Sequence, residues 1–287
     1  MTKPSTEERL VFFPCGRISL AGILTVADRP NGRTILLPWG TSTAPSSGVN
    51  GVRTHLARTL AGEGFHSFRF DYPGVGESEG EYHVGEMSSP LIEEVQAACT
   101  WLTAQGLERI VIVANCFGGW SSLMAAPQLP GLEGMALVNP PVRRDHKQIQ
   151  AGGAGWRWWA KRFKRLRLKK LFSADYRDRS RKMLAAKGSS ITGTGSRDHR
   201  FSHAVEHLIE RRIPVLLIYG ADHDFRPDFE SELESGLGSA IAQAGSLVRV
   251  DIVADRLDAR GLASLEAQAL LVSEVVPWLH SLPISSS

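Results

Sequence analysis

The sequence predicts an α/β fold with a mostly parallel central sheet and helices on both faces, and three observations predict it. Short apolar runs typical of buried strands alternate along the chain with stretches that have helical spacing. The predicted strands are continuously apolar, as strands are when both faces of a sheet are covered. With 43% hydrophobic and 22% charged residues, the 287-residue chain also has enough apolar material for a large core.

The elements follow one another in a regular order. An opening pair of strands is predicted at 10–13 and 18–27, and a short buried run that ends in a turn at 33–40. Val52, Leu56 and Leu60 have helical spacing and predict a helix within 51–65. Further strands are predicted at 66–74, 109–116, 134–141, 214–222 and 246–255, and further helices at 88–105 and 264–282.

A strongly basic segment interrupts this alternation. Residues 142–182 contain fifteen Lys and Arg and three acids, a net charge of +12 in a chain whose total is +3. If this segment is helical, Trp156 and Trp159 begin an apolar stripe whose other faces carry Lys and Arg. We therefore expect residues 142–208 to form an inserted, Trp-rich helical cap on a core made of 1–141 and 209–287.

Several classes of protein are not expected. The three cysteines, Cys15, Cys99 and Cys116, are too far apart to indicate a disulfide framework or a zinc site. The chain begins with a polar, acidic stretch and has no apolar run of about 18 residues, so we expect a cytoplasmic protein with no transmembrane segment. No GxxxxGK[ST] motif is present, and no metal, flavin or nucleotide cofactor is implied.

The stretch VIVANCFGGW, residues 111–120, has the pattern of a nucleophile elbow. A buried strand stops, Cys116 follows, and small residues stand two positions before and after it, at Ala114 and Gly118. A strand that reverses this tightly into a helix leaves no room for bulk at those two positions. The alternative is that Cys116 is simply a small buried apolar residue, as free cysteines often are.

Four segments together give the chain its resemblance to the α/β-hydrolase family. PWG at 38–40 stands where the family often has His-Gly, and FRFDYPGVGESEG at 68–80 is similar to the family's fourth strand and loop. IVIVANCFGGW stands at the elbow, with Cys116 in place of the usual serine, and VLLIYGADHD at 215–224 resembles the strand that delivers the catalytic acid. The resemblance covers most of the chain and implies the α/β-hydrolase fold.

The resemblance also implies roles for individual residues. Cys116 would be the nucleophile, and the backbone N–H groups of Phe117 and Thr41 would be the oxyanion donors. Asp224 would be the acid, with Asp222 as a close rival. Residues expected to contact substrate are Trp39, Gly40, Trp120, Arg260, Trp156 and Trp159.

The histidine that the family uses as a base is missing. The stretch before the final helix, VDIVADRLDARGLASL, contains none, and Asp255, Asp258 or Arg260 occupies its place. Three interpretations stay open. A histidine from elsewhere substitutes, for example His223 or His83; or Cys116 works without one; or the machinery is inactive and the fold binds a ligand. In the second interpretation the start of the following helix, and Arg260 if it points inward, would lower the thiol pKa.

These patterns predict acyl transfer through a Cys116 thioester, with a small acyl thioester or activated ester as donor. The alternatives are a noncatalytic binding protein with a degenerate triad and a cysteine-dependent esterase similar to dienelactone hydrolase. The basic cap suggests an acidic acyl-carrier protein or an anionic surface as partner, and nucleic acid is not expected.

Overall fold

In the computed structural model, the described residues are 6–40, 45–82, 88–142, 199–253, 257, 262 and 264–283. Within them, eight strands form one sheet with the order β1-β2-β4-β3-β5-β6-β7-β8. The strands are β1 (Glu7–Cys15), β2 (Ile18–Val26), β3 (Thr34–Leu36), β4 (His66–Phe70), β5 (Ile110–Asn115), β6 (Leu132–Val138), β7 (Val215–Gly220) and β8 (Val248–Val253). β2 pairs antiparallel with β1 and β4, and the other neighbours pair in parallel.

Seven α-helices are described around this sheet. They are α1 (Val52–Gly62), α2 (Ile92–Ala104), α3 (Phe117–Ala125), α4 (Arg200–Glu210), α5 (Arg226–Glu232), α6 (Gly238–Ala244) and α7 (Leu265–Ser281). The predicted α/β-hydrolase fold is confirmed by this mostly parallel sheet with its helices. Ser264 caps α7 by accepting a hydrogen bond from the Ala267 backbone N–H at 3.1 Å.

Three of the inner strands are completely buried, as the continuous apolar runs predicted. Every residue of β3, β5 and β7 is buried. On one face of the sheet, a cluster of buried side chains from β3, β5, β6 and β7 packs against α1 and α7. On the other face α2 contacts α3, and α3 contacts α4. The central strands therefore form a rigid base from which the loops at their carboxyl ends project.

One predicted strand needs correction, two helices were not predicted, and one prediction stays open. The strand predicted at 33–40 is only Thr34–Leu36, with one further bridge between Trp39 and Asn115, because the chain leaves the sheet at Pro38. Helices α5 and α6 are not foreseen from the sequence; they are seven residues each and flank a π-helical turn, Leu233–Leu237. Most of the cap predicted at 142–208 lies outside the described residues, so it stays a prediction. Its end is α4, whose Phe201, Val205 and Leu208 are buried.

A buried charge pair holds the loop that follows β4. The Asp71 carboxylate accepts a hydrogen bond from the Ser46 backbone N–H, and the nearby Arg53 guanidinium donates to the carbonyl oxygens of Phe70 and Pro45. Burial raises the pKa of Asp71, and these contacts oppose the rise. Ser78 donates to the Asp71 carbonyl oxygen. The loops at 45–48 and 71–78 are thereby held to each other at the carboxyl end of β4.

Candidate active site at the strand-to-helix elbow

Cys116 occupies a sharp turn between β5 and α3. Its backbone has φ 52° and ψ −126°, a combination that a residue with a Cβ adopts only at a cost. The turn is held on both sides, since the Cys116 N–H donates to Val138 O at 2.9 Å and Cys116 O accepts from the Trp120 N–H at 3.1 Å. The predicted elbow geometry is therefore present.

Gly118 is the residue that lets a second segment approach this turn. A Cβ at position 118 would lie 2.6 Å from Pro38 C and from Trp39 N, closer than real Cβ contacts. The Gly40 N–H donates to Asn115 O at 2.9 Å, which ties the segment 38–40 to the end of β5. Because it donates to Asn115 O, the Gly40 N–H is not available as a second oxyanion donor. Thr41, the predicted donor, lies outside the described residues.

The Cys116 thiol is half-buried, and its surroundings favour the neutral form. Burial raises the pKa of Cys116 to about 11, while a hydrogen bond from the Phe117 backbone N–H opposes the rise. The expectation that the helix start would lower this pKa is wrong for the described surroundings, since desolvation outweighs one amide. The Phe117 N–H does point at the sulfur, as an oxyanion donor in the elbow would.

The loop after β7 carries three polar residues, of which two are exposed and one is half-buried. Asp222 and Asp224 are exposed, and neither makes a hydrogen bond or an ion pair with the residues that the structure describes. His223 is half-buried, its Nδ1 accepts a hydrogen bond from the Phe225 backbone N–H at 3.2 Å, and its ring lies 4.9 Å from that of Phe225. Accepting this bond places the proton of a neutral imidazole on Nε2.

Asn139, at the end of β6, holds the loop after β7. This residue was not predicted from the sequence. It follows β6 with φ 45°, is buried, and its Oδ1 accepts a hydrogen bond from the Gly220 N–H at 2.9 Å. Tyr219 donates its hydroxyl to Pro140 O at 2.9 Å. In the sequence, the available sign of this turn is an asparagine directly before two prolines. Asn is among the residues that tolerate positive φ.

The two predicted tryptophans within the described part both lie in the interior. Trp39 is 4% exposed and belongs to the core cluster beside α1 and α7, and its indole N–H has no hydrogen-bond partner among the described residues. Trp120 is fully buried in α3, and the guanidinium of Arg200 lies over its ring. Their substrate contacts stay predictions. Arg260, Trp156, Trp159 and His83 lie outside the described residues.

An eight-stranded, mostly parallel sheet whose fifth strand ends in a positive-φ residue before a helix defines an α/β hydrolase. By sequence, residues 50–228 match the family described as Serine aminopeptidase, S33 (Hydrolase_4), and the chain belongs to this family. The family's name refers to a serine, whereas position 116 of this chain is a cysteine. No curated protein sequence matches the chain.

Solved structures show the same fold at low sequence identity. An esterase from Pyrococcus furiosus superposes with a TM-score of 0.64 and 15% identity, over 98% of this chain and 94% of that chain. A predicted CIB-like hydrolase from Thermoplasma acidophilum superposes with a TM-score of 0.58 and 16% identity, over 97% of this chain and 100% of that chain. Proline iminopeptidase from Mycobacterium smegmatis superposes with a TM-score of 0.56 and 19% identity, over 95% of this chain and 98% of that chain. Within the described part of the chain, no helix is long and apolar enough to cross a membrane.

Proposed function

We propose that this α/β hydrolase transfers acyl groups through a thioester formed on Cys116. The observation that carries the proposal is the backbone of Cys116 at φ 52°, with the Phe117 N–H directed at its sulfur. A strained non-glycine residue costs roughly 1–3 kcal/mol and clusters at active sites. Glycine would remove this cost, so a cysteine held here indicates a use for the thiol.

The proposed reaction has two steps. In the first, the Cys116 sulfur attacks the carbonyl carbon of an acyl thioester; the new S–C bond forms, the bond to the departing sulfur breaks, and the Cys116 proton leaves with the departing thiol. In the second, an acceptor amine, thiol or water takes the acyl group and returns a proton to Cys116. The Phe117 N–H, with Thr41 as second donor, would stabilise the oxyanion of each tetrahedral intermediate.

Transfer is favoured over hydrolysis because, among the described residues, no histidine or carboxylate is hydrogen-bonded to Cys116 to act as a general base for water. A pKa of about 11 leaves about one thiol in ten thousand ionised at pH 7. The sequence has no histidine between His223 and His280. Thiol exchange with an activated acyl donor tolerates this better than activation of water does, since water needs a base to take its proton.

His223 is poorly placed to be that base as it stands. Its Nδ1 already accepts the Phe225 N–H, so Nε2 of the neutral ring carries the proton and can only donate. Either the ring breaks this bond during catalysis or the reaction proceeds without it. His223→Ala therefore separates the two interpretations: loss of acylation indicates a catalytic imidazole, and an unchanged rate indicates a base-free thiol.

The test is to incubate the protein with the butyryl thioester of N-acetylcysteamine and weigh the intact chain. We expect a butyryl adduct that maps to Cys116 and is absent in Cys116→Ala, while the fully buried Cys99 serves as an internal control. Release of free thiol with no adduct would instead indicate fast hydrolysis by a cysteine-dependent esterase. If no adduct forms and no thiol is released at pH 7–9, the proposal is refuted.

A noncatalytic binding protein is the second candidate, and it is favoured by a neutral thiol with no histidine or carboxylate partner among the described residues. Within the described part of the chain, the Cys116 side chain makes no hydrogen bond to a histidine or a carboxylate. This candidate predicts that Cys116→Ala binds an acyl thioester as tightly as the native chain does and that no adduct forms.

We further propose a cytoplasmic enzyme whose basic segment contacts an acidic acyl-carrier protein. The +12 charge of residues 142–182 supports this partner, and an anionic membrane surface is the alternative. Two assays at physiological salt distinguish these partners. Co-sedimentation tests binding to anionic vesicles, native gel shifts test binding to an acidic carrier protein, and only one of the two assays should show binding.

A further inference from the structure

We propose that this protein dimerises through the free edge of β1, where a second copy of the chain adds its own β1 in antiparallel orientation. The inference concerns a part of the molecule remote from Cys116 and does not depend on the proposed function. β1 is the first strand of the eight-stranded sheet, and among the described residues it pairs only with β2. A strand in this position keeps a row of unpaired backbone N–H and C=O groups, which can bind another strand.

The hydrogen bonds of β2 show which residues of β1 direct these groups outward. The N–H and C=O groups of Ser19 and Ala21, on β2, bond to the loop that follows β4. These two residues lie opposite Pro14 and Phe12 of β1. Bonded and non-bonded pairs alternate along an antiparallel ladder. Phe12 and Leu10 therefore direct their N–H and C=O to the free edge, and Pro14 directs its C=O there.

The side chains on this part of β1 are apolar and exposed. Leu10 is 60% exposed and Phe12 is 57% exposed. Residues two apart in a strand share a face, so these two side chains lie side by side. A long edge strand with exposed apolar side chains is a typical site of pairing with another chain.

The opposite edge of the same sheet differs in length and in charge. β8 has six residues against nine in β1. Arg249 of β8 is exposed and forms ion pairs with Asp251 at 2.8 Å and with Glu274 at 3.1 Å. Charged side chains are one means by which natural sheets keep their edges from pairing. β1 carries no charged residue from Leu10 to Cys15, so pairing is expected at this edge.

β1 of a second copy fits this edge because the strand is complementary to itself. When Leu10 of each copy lies opposite Phe12 of the other, each such pair exchanges two backbone hydrogen bonds. The two-fold axis then passes Val11, and the four exposed apolar side chains form one cluster. Pro14, which has no N–H, lies opposite Glu8 at the end of the pairing, where one missing donor interrupts no central bond.

The charged residues of β1 are compatible with this pairing. All of them lie at its start, where Glu7 pairs with Arg9 at 2.6 Å and Glu8 pairs with Arg58 at 2.9 Å. In antiparallel order the starts of the two strands lie at opposite ends, and Arg9 of each copy faces Phe13 of the other. A parallel partner would instead place the two charged starts side by side, which is unfavourable for like charges.

Sedimentation equilibrium from micromolar to near-millimolar chain concentrations tests the dimer, because a single strand edge is a small interface. We expect a monomer–dimer equilibrium for the native chain, and Leu10→Lys combined with Phe12→Lys should weaken association by about tenfold or more. Ile252→Lys is the matched control and should associate as the native chain does, because it replaces an exposed apolar residue of the β8 edge. Urea unfolding of each variant verifies that these exposed substitutions leave the fold intact.

Disulfide trapping tests the register independently. Val11 of one copy would lie opposite Val11 of the other as a non-hydrogen-bonded pair, with Cα atoms about 4.5 Å apart, within the range of a disulfide. Val11→Cys should therefore give a linked dimer on mild oxidation. Leu10→Cys is the control and should not, because its two copies are displaced by two residues, with Cα atoms about 8 Å apart.

Three results would overturn the inference. The first is a native chain that stays monomeric over the whole concentration range. The second is association that the lysines at positions 10 and 12 do not weaken relative to Ile252→Lys. The third is disulfide formation that is absent from Val11→Cys or no more efficient in it than in Leu10→Cys.

Discussion

The raised pKa of Cys116 predicts a slow thiol whose alkylation keeps accelerating into alkaline solution. With a pKa of about 11, about 0.1% of the thiol is ionised at pH 8, against about a quarter of a free cysteine with pKa 8.5. This difference alone is roughly 200-fold. A more basic thiolate is more nucleophilic, which recovers roughly tenfold over this interval. Cys116 should therefore react about 20-fold more slowly than a free thiol at pH 8.

The assay follows iodoacetamide modification of Cys116 by peptide mass mapping between pH 7 and 10, with N-acetylcysteine as the reference thiol. The rate should rise about tenfold per pH unit with no plateau below pH 10. Cys99 reports on general unfolding, since it is fully buried and burial raises its pKa to about 12. A plateau below pH 8, or a rate equal to the reference, would show that a positive group ionises this thiol and that desolvation does not dominate.

Three further results are expected for stability, each measured by urea unfolding. Cys116→Gly should stabilise the chain by about 1 kcal/mol, because glycine adopts φ 52° freely; a loss relative to Cys116→Ala would contradict the strain. Gly118→Ala should cost about 1–3 kcal/mol, because its Cβ would lie 2.6 Å from the backbone at Pro38. The neighbouring Gly119→Ala, whose Cβ would have no contact below 3.5 Å, should be neutral or stabilising. For Cys99 the folded pKa is raised, so unfolding releases a proton above pH 8.5, and stability falls by about 1.4 kcal/mol per pH unit up to its folded pKa of about 12. Between pH 8 and 10 the free energy of unfolding of the native chain should therefore fall by about 2 kcal/mol more than that of Cys99→Ala. Equal decreases in both chains would exclude this linkage.

The elbow shows how far the sequence can define a site. The small residues around Cys116 predicted a strand-to-helix reversal, and the close approach of Pro38 to Gly118 gives the physical reason for that glycine. In one of three interpretations of the same sequence the thiol pKa is lowered, whereas the described surroundings raise it. Proximity to a helix start is visible in a sequence, whereas the desolvation that raises the pKa depends on segments brought from elsewhere in the chain.

The sequence by itself determined the α/β-hydrolase fold, the position of the elbow, and the lack of a histidine where the family has its base. The α/β alternation follows from local periodicity and the elbow from the spacing of small residues, whereas the particular fold and the missing base follow from the resemblance of four segments to the α/β-hydrolase family. None of these needs distant contacts. Only the tertiary structure decided that Trp39 and Trp120 are interior, that Asn139 holds the loop after β7, and that Arg200 lies over Trp120. Each of these depends on side chains far apart in the chain meeting in the folded protein, and a linear pattern carries no information about which side chains meet.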